Sequence, residues 1–196
     1  IVDRLVGSEM CIRDRFDSGT LDISFSKNRV IFENCHFKSG NDYLLISGSW
    51  LSKNKYKIDR LQSAYKEHYL VNSKPIYINY QDTLVSIEPF EIHINDGILD
   101  GVLSIGSFSE GRFKMSNFDA SVITHFVDSK YLDLSGIIFG EIAFNSSKEN
   151  QEYDIDIALK KGTYLTEPFD QMNLAILLKS GVMHIDDISM TRDTSM

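Results

Sequence analysis

From Phe16 onward, apolar and polar residues alternate with a period of two, the pattern of strands that cover one face and wet the other. Leu21, Ile23 and Phe25 interleave with Asp22 and Ser24; Tyr153, Ile155, Ile157 and Leu159 interleave with Asp154, Asp156 and Lys160. The same alternation recurs over 76–80, 90–95, 99–105, 138–144 and 174–178. The gaps between runs are short and regular, which predicts a meander of hairpins and leaves no room for crossover helices.

Turn residues then test the register. A two-residue turn at Asp96-Gly97 sets Ile94 against Leu99, Ile92 against Gly101 and Phe90 against Leu103, with His93 facing Asp100 on the other side. Lys27-Asn28 pairs Phe25 with Val30 and Ile23 with Phe32. Ser180-Gly181 pairs Leu178 with Met183 and Ile176 with Ile185, but it also opposes Leu174 to Asp187, so that hairpin is expected to fray or bulge. One helix of about three turns is expected after Ser116 and Asp119, with Phe118, Val122 and Phe126 on one face. Residues 62–72 mix both periods and read as irregular.

Composition narrows the function. The net charge of −8 and the absence of any basic run weigh against a nucleic-acid partner, because phosphate binding needs a Lys/Arg surface. No stretch approaches the ~20 consecutive apolar residues of a membrane-spanning helix, so an anchor would have to lie elsewhere. Residues 5–15, LVGSEMCIRDR, match the in-frame translation of a transposon-type sequencing adapter. Residues 1–15 are therefore set aside as non-native, and 16–196 are read as a fragment of a longer protein. Without Cys11, Cys35 stands alone in a strand-like run, where a packed, idle thiol is the expectation.

Chemistry-bearing patterns are missing. The five histidines are scattered, with no His-x-x-x-His and no cysteine pair, so no metal site and no cofactor are expected. No nucleophile elbow or phosphate loop occurs, and Asp154 and Asp156 fall on the polar side of their strand, so no catalytic residues are expected either.

The order of elements resembles the TamB/AsmA-like family of envelope proteins. The resemblance rests on the strand ending Leu45-Ile-Ser-Gly-Ser-Trp50, the strand Tyr56 to Leu61, the Lys74-Pro75-Ile76 step, the hairpin from Asn95 to Gly101, the short helix, the Leu134-Ser135-Gly136 step and the Thr166-Glu-Pro-Phe169 step. It implies an all-β fold: an elongated antiparallel sheet of consecutive hairpins, curled into a β-taco or β-groove, with one short helix. It further implies a periplasmic protein, anchored in the inner membrane outside this stretch, that carries phospholipid acyl chains between membranes. Such a protein also assists outer-membrane protein assembly through a BamA-like barrel partner, again through regions not present here.

The apolar side of the alternating runs is the candidate groove lining: Ile23, Phe25, Phe90, Ile92, Ile94, Leu99, Leu103, Ile155, Ile157, Leu159, Ile176 and Leu178. A sheet with one apolar face must cover it, and one helix is too little for ~12 strands of ordinary length. Two solutions stay open. The sheet curls and leaves its trough to hydrocarbon, or it folds into a β-sandwich binding or adhesin module at the cell surface, with recognition on the 145–151 loop. A transmembrane barrel fits less well, because several runs are short and the tyrosines form no two girdles.

Overall fold

Each alternating run forms a strand, and nearly every strand pairs with its sequence neighbour. The computed structural model describes residues 17–26, 29–126, 134–147 and 150–192; the adapter-like segment with Cys11 lies outside them. The strands are β1 (Ser18–Ser26), β2 (Arg29–Ser39), β3 (Asp42–Ser52), β4 (Lys55–Tyr65), β5 (His68–Asn72), β6 (Ile76–Gln81) and β7 (Leu84–Ile94). They continue as β8 (Gly97–Ile105), β9 (Ser109–Asp119), β10 (Ile137–Ser146), β11 (Gln151–Tyr164), β12 (Glu167–Lys179) and β13 (Val182–Thr191). All thirteen belong to one antiparallel sheet, with β1 and β13 at its two edges. The fold is thus the all-β, elongated hairpin sheet that the alternation predicts. It is not a two-sheet sandwich.

The strands β5 and β6 share one place in the sheet, between β4 and β7. Pro75 explains the break between them, since it has no N–H to give to a ladder. Asn72 repairs the gap: its side chain accepts from Leu61 N–H at 2.6 Å and donates to the carbonyls of Asp59 at 3.2 Å and Lys74 at 2.7 Å. Residues 62–72, expected to be irregular, are instead a regular hairpin of β4 and β5 turning at Lys66 and Glu67. Its alternation was hidden because Gln62 and Ser63 look polar on both faces, while Lys66 supplies the left-handed turn residue with φ +53°.

Three registers can be compared with expectation. Phe25 pairs with Val30 and Ile23 with Phe32, as the first hairpin requires. Leu178 pairs with Met183 and Ile176 with Ile185, and a bulge at Ala175/Ile176 then shifts Leu174 onto Ile188 and away from Asp187. The expected apolar–charge mismatch is removed in this way. The third register differs: Ile94 pairs with Gly97, Ile92 with Leu99 and Phe90 with Gly101, so the turn is Asn95-Asp96, one residue earlier. Asn95 takes the left-handed conformation at φ +51°, and its Oδ1 accepts from Tyr69 N–H at 2.8 Å. Gly97 is needed for closeness, not for a turn: a Cβ there would lie 2.8 Å from the Asn117 carbonyl oxygen. The slip is by two in pairing sum, so every side chain keeps the face expected of it.

The helix α1 (Ala120–Phe126) has seven residues, shorter than the three turns expected. Ser116 and Phe118 belong to β9, and Asp119 alone caps the helix, accepting from Ser121 N–H at 2.8 Å. The Phe126 side chain lies outside the described residues.

Candidate functional site: an apolar trough face

Paired residues in an antiparallel ladder point to the same side, so the registers assign every strand residue to a face. One line of partners crosses twelve strands: Phe25, Val30, Trp50, Tyr56, Ile78, Ile87, Leu103, Gly111, Phe144, Tyr153, Leu178 and Met183. All are apolar or aromatic apart from one glycine. On the opposite face a parallel line reads Glu91, Asp100, Lys114, Glu141, Asp156, Ala175 and Asp187. From β7 to β13 the sheet is therefore two-sided, one line apolar and the other charged.

Bulges or register shifts interrupt six of the strand pairs, β1–β2, β2–β3, β3–β4, β7–β8, β9–β10 and β12–β13. A bulge bends its strand and raises the local twist, which curls the sheet. All twelve residues expected to line a groove fall on the apolar face. They do not share one environment. Leu159 and Ile94 are 1% and 7% exposed, Phe25 is 77% exposed, and the five residues Ile92, Leu103, Ile155, Ile157 and Ile176 are half-buried.

The difference comes from α1. Ala120 and Val122 of the helix pack with Ile94, Met115, Phe118, Ile138, Leu159 and Phe169 into the buried core cluster. This cluster lies at the strand ends that meet the turns β4–β5, β7–β8 and β11–β12, here termed the helix lip. From mid-sheet to the opposite strand ends, the far lip, the trough is ring-lined. Phe90, Phe113, Phe144 and Tyr153 form a continuous row with centroid spacings of 6.4, 6.3 and 6.4 Å. On the other side of the sheet's midpoint, Trp50 stacks on Tyr56 at 5.7 Å.

Glycines make the row possible. A Cβ at Gly101 would lie 2.4 Å from Phe90 Cζ, and one at Gly111 would lie 2.5 Å from Phe144 Cε1, so the rings lie flat over bare backbone. Sequence reasoning overlooked this row because its members sit on different strands. It also overlooked the inner residues of β2 to β6, where bulges at Phe32/Cys35 and Ser47/Gly48 break the period of two.

Cys35 sits on the inner face between Leu21 and Ile46, 8% exposed. Burial pushes its thiol above the ordinary value, and the nearby Asp22 charge adds to that, which suits packing and opposes nucleophilic use. On the outer face, Glu91 bridges the β5–β6 break. Hydrogen bonds from Ser73 and His93, with Lys74 at 3.5 Å, lower its carboxyl to about 2. Two open depressions of about 480 and 280 Å³ also lie on the charged face, walled in part by Arg112, Glu141, Asp154 and Lys114. Arg112 and Glu141 pair with each other there at 3.1 Å.

Among the described residues, no three His, Cys, Asp or Glu side chains come close enough to hold a metal ion, and no helix is long and apolar enough to cross a membrane. No family model, curated protein or solved structure matches the chain.

Proposed function

We propose that this chain is a segment of a periplasmic envelope-biogenesis protein whose curled sheet holds phospholipid acyl chains in transit between inner and outer membranes. One observation carries the reading: an apolar line twelve strands long runs down one face of a single sheet, and among the described residues its buried core gathers beside α1, while both edge strands leave it exposed. Exposed apolar surface on this scale marks a binding surface. Hydrocarbon suits it, because each buried methylene contributes ~0.8 kcal/mol and needs no polar partner. The resemblance of the element order to TamB/AsmA-like proteins supports the same reading, and with it an inner-membrane anchor and an outer-membrane barrel partner contacted by other parts of a longer protein. The sandwich alternative loses its architectural basis, since all strands share one sheet.

The test is extraction. The chain, expressed in a Gram-negative periplasm and purified without detergent, should yield stoichiometric phospholipid by mass spectrometry. Replacing Ile155 and Ile176, which face each other in the trough, by Asp should abolish that yield while a far-surface control keeps it. A monomeric, folded chain that carries no lipid and takes none from vesicles sinks the reading.

A further inference from the structure

The two lips of the trough differ in cover, polarity and charge. On the helix lip, Ile138, Leu159, Phe169 and Phe118 are between 1% and 5% exposed, so a phosphate placed among them would be stripped of water by apolar side chains. The turns on that lip, each taken with one flanking residue, add Asp42, Glu67, Asp96, Asp119 and Glu167 against Lys66. Like charge repels an anion from this side.

The far lip has the opposite character. Its inner face ends in the ring row of Phe144 and Tyr153 and in the stacked Trp50 and Tyr56, side chains that suit a boundary between hydrocarbon and water. Beyond the rings come Ser109, Ser146 and Gln151, so polarity rises step by step toward solvent. The turns and flanks here hold Arg29, Lys53, Lys55 and Lys179 against Asp82. By register Lys55, Lys179 and Arg29 belong to the outer face, engaged there by Glu88, Glu152 and, at 3.3 Å, the Ser49 hydroxyl, whereas Lys53 lies in the turn between β3 and β4, next to the rings of Trp50 and Tyr56 in sequence.

From this asymmetry we infer that a phospholipid in the trough lies in one sense: its phosphate stands at the far lip beside Trp50 and Tyr56, and its acyl chains point across the sheet toward the helix lip. The inference rests on the lipid reading above and deepens it by giving the occupant a direction. Strand bulges and the aliphatic middle, Ile92, Leu99, Ile142 and Ile157, supply the hydrocarbon bed between the two lips.

Trp50 is the single tryptophan of the chain and therefore a built-in depth gauge. The chain is loaded from vesicles of phosphatidylglycerol brominated either near the glycerol or near the methyl end of one acyl chain, and bound lipid is measured alongside emission. Bromine near the glycerol should quench Trp50 more strongly than bromine near the methyl end. A second chain with Trp50→Phe and Tyr153→Trp should give the same order from the other half of the row. Lys53→Gln should weaken retention of phosphatidylglycerol roughly fivefold at low salt, the effect of one cation beside an anionic surface, while Asp96→Asn should not weaken it. If lipid is bound but the methyl-end bromine quenches as much or more, or Asp96→Asn weakens retention as Lys53→Gln does, the orientation is overturned and the trough remains. If no lipid is bound by either chain, the trough reading itself fails.

Discussion

Phe25 and Leu159 point to the same face of the same sheet, yet one is 77% and the other 1% exposed. The half of the molecule from β7 to β12 has α1 laid against its inner face and owns nearly all of the buried core. The strands β1 to β4, and β13 at the other edge, carry the same alternation without that cover; Met183, Ile185, Ile188 and Met190 of β13 are all more than half exposed. An apolar pattern thus specifies which way a side chain points. Whether protein meets it there is a separate matter, and over β7 to β12 the cover comes with one seven-residue helix.

The sharpest way to break this comparison is to truncate matched positions in the two halves. Leu159→Ala removes a side chain from the sealed cluster and should cost ~2–5 kcal/mol in urea unfolding, through lost burial and the cavity left behind. Phe25→Ala should fall within about 0.5 kcal/mol of the parent, as surface changes do. Equal losses would show that β1 is covered in solution after all.

A smaller effect should be equal in both halves, because it belongs to the sheet and not to its cover. Gly140 has φ +142°, and a Cβ there would stand 2.1 Å from the Asp156 carbonyl oxygen; at Gly48 the same distance separates it from the Lys57 carbonyl oxygen. Gly140→Ala and Gly48→Ala should each lose ~1–3 kcal/mol. A marked loss at only one of them would mean that the curl is confined to one half.

The seam between halves is the β5–β6 break. Asn72→Ala removes three hydrogen bonds from backbone groups there and should cost ~1–3 kcal/mol, with faster amide exchange at Leu61 as the local sign. Across the same seam, Glu91 contributes least and with a defined pH dependence. Its folded carboxyl lies near 2 against an ordinary 4.5, so its stabilisation is complete above about 4.5 and fades as pH falls toward about 2. Glu91→Gln should therefore unfold at higher pH than the parent in an acid titration, with the gap closing at the bottom of that window.

Much of this was legible in one chain. The alternation marked most strands, and two turn dipeptides gave the observed pairings, including a bulge foretold by Leu174 meeting Asp187. The errors share a cause. At Asp96-Gly97 the local pattern of a turn glycine is misleading: Gly97 serves the close approach of β9, a contact between segments twenty residues apart. The helix is shorter than its pattern suggests because Phe118 has helical spacing to Val122 and yet pairs with Ile138 in the sheet. Residues 62–72 show no clear period because Gln62 and Ser63 interrupt the alternation of a local hairpin whose second strand, at Leu70 to Asn72, is completed by Ile94, His93 and Ile92 from farther along the chain.

Local sequence therefore determined period, face and most turns, since these depend on neighbours within a few residues and on the twofold repeat of a strand. It also determined that most strands have one apolar face. The tertiary structure alone decided that those faces join into a single continuous line, that glycines on separate strands seat an aromatic row, and that α1 seals one lip and leaves the other open. These depend on bulges and long-range pairing, whose energies arise only once distant strands meet.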